Sequence, residues 1–64
     1  MICVGIDVAK DKHDCLILSS EGEVLADVFT IPNNAEGFGL LLQTIRRCTR
    51  PADKIKVGLE ATGH

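Results

Sequence analysis

Aromatic side chains are nearly absent from this 64-residue sequence, which has two phenylalanines and no tryptophan or tyrosine. Proteins that bind single-stranded nucleic acid on stacking platforms need exposed aromatic rings along the strand. Phe29 and Phe38 are too few for such a platform, so this class of binder is disfavoured. The remaining composition, with 45% hydrophobic and 25% charged residues, is typical of a globular chain and argues against disorder.

An excess of positive charge is also missing. Seven Lys and Arg residues face nine Asp and Glu residues, which gives a formal net charge of −2 at pH 7. A chain with this balance has no general attraction for a phosphate backbone. Any contact with nucleic acid must therefore be local or must use metal ions.

The sequence has neither paired cysteines nor a long hydrophobic run. Cys3, Cys15 and Cys48 are odd in number and form no C-x-x-C pair, so we expect buried, reduced thiols instead of disulfides or a zinc site. The apolar stretches are a few residues long, and no basic region followed by an apolar one opens the chain. These absences predict a soluble, cytoplasmic protein.

Alternating hydrophobicity predicts three consecutive β-strands at the start of the chain. Residues 2–8 place β-branched side chains at every second position, which predicts a central strand covered on both faces. Polar turns at 9–12 and 19–22 separate this strand from further strands at 13–19 and 24–31. Because both connections are short, we expect an antiparallel meander.

A helix is predicted to follow the third strand. Pro32 ends that strand, and Asn33 with Glu36 three residues later has the spacing of an N-cap and its reciprocal partner. Gly37 and Gly39 each weaken the first turns by about 1 kcal/mol relative to alanine, unless they permit a close approach to the sheet. The apolar residues recur at helical spacing and predict one buried stripe: Ala35, Phe38, Leu41, Leu42, Ile45 and Cys48.

The last alternating segment, residues 55–60, predicts a fourth strand and completes the element order β-β-β-α-β. A strand, a crossover helix and a further strand normally produce a parallel neighbour. We therefore expect an α/β fold with a mixed sheet of spatial order 3-2-1-4. In that order Asp7 and Glu60 lie near the carboxyl ends of two adjacent central strands.

Asp7 and Glu60 are the candidate functional residues. Asp7 is the only charge in an otherwise apolar strand, where an unpaired carboxylate costs several kcal/mol. Two neighbouring carboxylates repel one another unless a divalent cation lies between them, and Mg²⁺ or Mn²⁺ prefers such oxygen ligands. A different interpretation remains open from spacing alone, in which Asp7 forms a salt bridge with Lys10 or Lys12 and Glu60 is a solvated strand end.

Three segments resemble the N-terminal part of the DEDD-type insertion-sequence transposases, which include the pilin-gene invertases and the bridge-RNA-guided recombinases. They are G-I-D-V-A-K at 5–10, the strand at 14–18, and G-L-E-A-T-G-H at 58–64. The resemblance covers nearly the whole chain. Its two anchor motifs, G-I-D-V-A-K and L-E-A-T-G, fall at the right relative positions, which makes the pair far more specific than either motif alone.

The resemblance implies a ribonuclease H-like, RuvC-type fold with four acidic ligands for Mg²⁺ or Mn²⁺ in the order Asp, Glu, Asp, Asp. Asp7 matches the first acid and Glu60 the second. The family cleaves and transfers DNA strands, in characterised members directed by a structured RNA. Residues 1–64 are thus expected to be part of a catalytic domain, cut before the later acids and the nucleophilic serine. Such a piece is expected to be inactive by itself and to form a homo-oligomer.

Two other classes of protein remain as alternatives to the transposase interpretation. Sugar kinases and actin-type ATPases also begin with G-I-D and have a hairpin glycine comparable to Gly22, but they place Gly with Ser or Thr after the aspartate to cradle phosphate. Residues 9–12 here read A-K-D-K. A non-catalytic, self-associating module is the other alternative. Lys10 and Lys12 could contact a DNA phosphate or only solubilise the turn, and no catalytic role is assigned to His13 or His64.

Overall fold

Four strands and a helix form in residues 1–61, the part of the chain that this computed structural model describes. The elements are β1 (Ile2–Val8), β2 (Lys12–Ser19), β3 (Val24–Pro32), α1 (Ala35–Cys48) and β4 (Ile55–Ala61). The strands form one sheet of order β3-β2-β1-β4, in which β1 is antiparallel to β2 and parallel to β4. The predicted element order and sheet order are confirmed.

The hydrophobic core lies between one face of the sheet and α1. Because side chains alternate along a strand, every second residue of β1 and β2 points toward the helix. The apolar side chains that are buried there come from three strands and the helix: Ile2, Val4, Ile6, Cys15, Ile17, Ile31, Leu41 and Ile45. The alternate positions of β1 and β2 consequently face away from the helix.

The helix covers only one half of its sheet face. α1 packs on β3 and β2, because only two residues separate the end of β3 from the first helical residue. Ile55, Val57 and Leu59 of β4 lie on the same face beyond the helix and are 47%, 52% and 70% exposed. The prediction that β1 is covered on both faces is wrong for residues 1–61, since Gly5 on its other face is also exposed.

The helix begins one residue later than predicted. Asn34, not Asn33, is the N-cap, and its side-chain oxygen accepts a hydrogen bond from the Gly37 backbone N–H at 2.8 Å. The expected reciprocal pair of Asn33 and Glu36 therefore does not form. Pro32 stays within β3 as its last residue, which is possible because β3 is an edge strand and needs no donor on its outer side.

The buried line of the helix also differs from the predicted stripe. It runs through Gly37, Leu41 and Ile45, at successive intervals of four residues. Phe38 and Leu42, one position further along, are 45% and 54% exposed, and Ala35 is exposed as well. The short connection after β3 sets this rotation, because it brings the first helical turn against Pro32.

His13 and Cys15 bring a polar and a reactive side chain into the core. His13 is 4% exposed, and its Nδ1 accepts a hydrogen bond from the Ala9 N–H at 3.2 Å. Burial, and secondarily the negative charge of Asp14, raises the pKa of the Cys15 thiol above its usual value. The described cysteines are free, but Cys15 is buried whereas Cys3 and Cys48 are half-buried, so the prediction of buried thiols holds in full only for Cys15.

The polar turn at 19–22 has the geometry that its composition predicts. Gly22 has a φ of 89°, a value that favours glycine, and the Ser19 hydroxyl oxygen accepts hydrogen bonds from the backbone N–H groups of Glu21 in the turn and of Glu23 just after it. No helix in residues 1–61 is long and apolar enough to cross a membrane.

The two helix glycines form a matched pair for testing the fold. A Cβ at Gly37 would overlap the Pro32 carbonyl, whereas a Cβ at Gly39 would meet nothing within 4 Å. We expect Gly37→Ala to lower the free energy of unfolding by about 1–3 kcal/mol through overpacking. Gly39→Ala should raise it by up to about 1 kcal/mol through helix propensity. Urea unfolding followed by circular dichroism measures both, and equal stability of the two variants would contradict this account of the helix start.

Candidate active site

Asp7 lies on the sheet face that points away from α1. Its neighbour Ile6 is buried beneath the helix, and consecutive side chains in a strand point to opposite faces. The register pairs Asp7 with Asp14 of β2 on one side and with Glu60 of β4 on the other. Directly paired residues share a face, so three carboxylates form a row across β2, β1 and β4.

The short connection between β1 and β2 fixes the register of these two strands. Only residues 9–11 connect β1 to β2, which leaves little freedom in how the two strands pair. Asn33 holds the connection in place, because its backbone N–H donates to the Asp11 carbonyl at 3.0 Å and its side-chain amide donates to the Lys10 carbonyl at 3.1 Å. The residue that was predicted to cap the helix thus anchors the turn beside the carboxylates.

The carboxylate row is not neutralised by nearby lysines. Asp7 Oδ1 is buried and has no hydrogen-bond partner among the described residues, and no ion pair joins Asp7 to Lys10 or Lys12. The alternative interpretation of Asp7 as half of a local salt bridge is therefore wrong. Like charges paired directly across strands are destabilising, so this row carries an electrostatic cost in the protein by itself.

A shallow concavity of about 530 Å³ surrounds the row. Its floor includes Gly5 and Gly58, which are register partners next to the acidic residues. A Cβ at Gly58 would meet nothing within 4 Å, and one at Gly5 would meet only the Leu16 carbonyl oxygen at 4.0 Å. The two glycines leave the backbone open to close approach by another molecule.

Asp7 and Glu60 provide the type of ligand that a hard divalent cation takes. Within residues 1–61 no group of three or more His, Cys, Asp or Glu side chains is arranged to hold a metal ion. This agrees with the strand spacing of about 4.8 Å, which puts Asp14 and Glu60 roughly 10 Å apart on either side of Asp7. The unpartnered, buried Oδ1 of Asp7 nevertheless fits a bound cation, because an ion would supply the partner that this oxygen lacks.

The other residues considered from sequence are distributed over both faces. Lys12 and Lys10 are exposed, and alternation puts Lys12 on the face of the carboxylates, two positions from Asp14. His13 lies on the opposite face, under the helix, and so is separated from the carboxylate row by the sheet. His64 lies outside the described residues, as do Thr62 and Gly63 of the second anchor motif.

Sequence reasoning gave no role to Asp14 or Thr30. Thr30 of β3 is the register partner of Asp14, and its hydroxyl donates to Asp14 Oδ1 at 2.7 Å. The signal was present in the short connection at residues 9–11, since such a turn places residue 14 opposite residue 7. Asp14 precedes a run of apolar residues in β2, and the pattern of that segment predicts a strand without marking any one residue for a role.

Comparison with known proteins identifies the family. A family model for IS110-type DEDD transposases, described as a transposase, matches residues 4–64, a span that includes Asp7, Asp14 and Glu60. No curated protein and no solved structure matches the chain. The family match favours the transposase interpretation over the kinase-like alternative. With nearly its whole length matched, the chain belongs to the IS110-type DEDD transposase family.

Proposed function

We propose that this chain forms part of the catalytic domain of a DNA transposase whose strand cleavage and transfer depend on Mg²⁺ or Mn²⁺. Asp7 and Glu60 are the proposed catalytic residues and metal ligands. The observation that carries this proposal is their direct pairing on adjacent parallel strands, together with the buried Asp7 oxygen that has no partner. The family supplies DNA as the partner and the general class of reaction.

The proposed role of the two carboxylates is to bind a cation through their negative charges. Asp7 and Glu60 would hold a divalent cation, whose positive charge would offset the repulsion between the two carboxylates and give Asp7 Oδ1 a partner. When bound, such an ion stabilises charge on a phosphodiester and makes an attacking water or hydroxyl more nucleophilic. The carboxylates hold the ion at the carboxyl ends of two parallel strands, where ligands of α/β sheets collect.

Lys10 and Lys12 are the proposed contacts to the DNA backbone. Both side chains are exposed in the turn that follows Asp7, and the turn itself is held by Asn33. With a net charge of −2, the chain has no general attraction for phosphate, so contacts to the DNA backbone need a local group of positive charges such as these lysines or a bound metal ion. We also propose, as the resemblance implies, that the protein is cytoplasmic and acts on DNA with a guide RNA.

Self-association is proposed from the uncovered half of the helix-side face. Ile55, Val57 and Leu59 of β4 are apolar and about half or more exposed, and β4 is an edge strand. An edge strand with an exposed apolar face tends to pair with another chain. We therefore propose that the chain forms a homo-oligomer through this surface.

Binding of Mn²⁺ followed by NMR tests the metal site. We expect low concentrations of Mn²⁺ to broaden the resonances around residues 7 and 60 first, because the paramagnetic ion would lie between these carboxylates. Asp7→Asn should remove this selective broadening, since it deletes one charged ligand while keeping the side-chain shape. Asp27→Asn, an exposed change on β3, serves as the matched control and should leave the broadening unchanged.

Broadening spread evenly over all acidic residues would contradict the metal site, and broadening of the first hairpin by ATP would support the kinase-like alternative instead. The same sample should leave duplex DNA uncut in Mg²⁺, because two carboxylates are too few to hold and tune two catalytic ions. Robust Mg²⁺-dependent cleavage that Asp7→Asn abolishes would show that the proposed inactivity of the chain is wrong.

Analytical ultracentrifugation tests the proposed self-association. We expect the weight-average molar mass of the unmodified chain to rise with concentration. For Val57→Lys, which places a charge in the exposed β4 surface, it should stay at the monomer value. Lys56→Glu is a control on the opposite face of the same strand. A monomer mass at every concentration of the unmodified chain would contradict the proposal.

A further inference from the structure

We propose that Asp14, held by Thr30, is a positioning residue of the cation site: it strengthens the binding of a divalent ion at Asp7 through its charge. This inference rests on the proposed metal site and extends it to a residue outside the Asp7 and Glu60 pair. Asp14 is not proposed as a further direct ligand, because no group of three acidic side chains within residues 1–61 is arranged to hold one ion.

The sheet register puts Asp14 beside the metal ligand. Asp7 and Asp14 are direct partners in the antiparallel pair, and both line the same concavity. Directly opposed residues have Cβ atoms about 4.5–5.5 Å apart. The backbone pairing of β1 with β2 thus holds the charge of Asp14 next to Asp7.

Thr30 fixes the Asp14 carboxylate in this position. Its hydroxyl donates to Asp14 Oδ1 at 2.7 Å from the neighbouring strand β3. A hydrogen bond of this length from a hydroxyl to a carboxylate restricts rotation of the side chain. Oδ2 has no hydrogen bond among the described residues, and Asp14 is one of the residues that line the concavity.

A purely solubilising role does not account for this placement. A surface carboxylate opposite another carboxylate makes the sheet less stable, and no lysine forms an ion pair with Asp14 in the described part of the chain. The cost falls on Asp7, whose buried Oδ1 is already without a partner. A cation at Asp7 reverses the sign of the Asp14 contribution, because the ion is attracted to the charge that repelled the carboxylate.

Calorimetric titration of the 64-residue chain with Mn²⁺ tests the inference. We expect Asp14→Asn to weaken binding about tenfold, the lower end of the losses seen when supporting groups around a metal are removed. Asparagine keeps the side-chain shape and an oxygen that can accept from Thr30, so this change isolates the charge. Asp14→Glu keeps the charge and should retain most of the affinity, while Asp7→Asn should abolish saturable binding.

Thr30→Val provides a second, independent variant. It removes the hydrogen bond but leaves both carboxylates, and we expect a loss of affinity about two- to threefold because the Asp14 side chain becomes free to turn away. Thermal melts in the presence of EDTA supply a readout besides affinity. Asp14→Asn should raise the metal-free melting temperature, whereas a residue that only supports the fold would lower it on removal.

The outcomes separate this inference from the proposed function. Unchanged Mn²⁺ affinity in Asp14→Asn, with binding lost in Asp7→Asn, would overturn the role of Asp14 and leave the metal site standing. Absence of saturable binding by the unmodified chain would overturn both. If Asp14→Asn does not fold, Thr30→Val decides, and an affinity equal to that of the unmodified chain counts against the proposal.

Discussion

The parallel pairing of β1 with β4 is the constraint on which the rest of the structure depends. It is produced by α1, which carries the chain from the far edge of the sheet at β3 back to the side of β1. Without that crossover, Asp7 and Glu60 would be separated by most of the chain. With it, they are direct partners, and the electrostatic cost of bringing two carboxylates together becomes the central feature of the site.

Because side chains alternate along a strand, one face of the sheet packs against α1 and the other face carries the carboxylates. His13 and Asp14 are consecutive, yet His13 is buried under the helix and Asp14 is exposed beside Asp7. A slip of one residue in the pairing of β1 with β2 would exchange the two faces and put a carboxylate in the core. The Asn33 contacts to the turn therefore protect both the core and the carboxylate row.

Much of this arrangement could be predicted from the sequence because it depends on periodicity and chain connectivity. The strand order and the adjacency of Asp7 and Glu60 follow from alternating segments and one crossover helix. The N-cap could not be chosen from composition, since Asn33 and Asn34 are chemically identical and only the tertiary contact of Asn33 with the turn separates them. The exposure of Phe38 likewise depends on how the short β3 connection seats the helix.

The contact of Asp14 with Thr30 could not be predicted in this way. Its position opposite Asp7 follows from the turn length, but its partner Thr30 lies on a third strand, and that contact requires the register of two strand pairs at once. Sequence patterns identify single carboxylates in apolar strands. The Thr30 contact becomes visible only when the sheet is assembled, whereas the adjacency of Asp7 and Glu60 follows from the element order.

We propose that a divalent cation neutralises the carboxylate row. The most direct measurement is the free energy of unfolding of the unmodified chain and of Asp7→Asn, each in EDTA and in millimolar Mg²⁺. We expect Asp7→Asn to be the more stable form in EDTA, by up to about 1 kcal/mol, because a like-charge contact is removed. In Mg²⁺ the order should reverse, since only the unmodified chain gains stability from a ligand that binds the folded state. Equal stability of the unmodified chain with and without Mg²⁺, together with a less stable Asp7→Asn in EDTA, would contradict a cation site at Asp7.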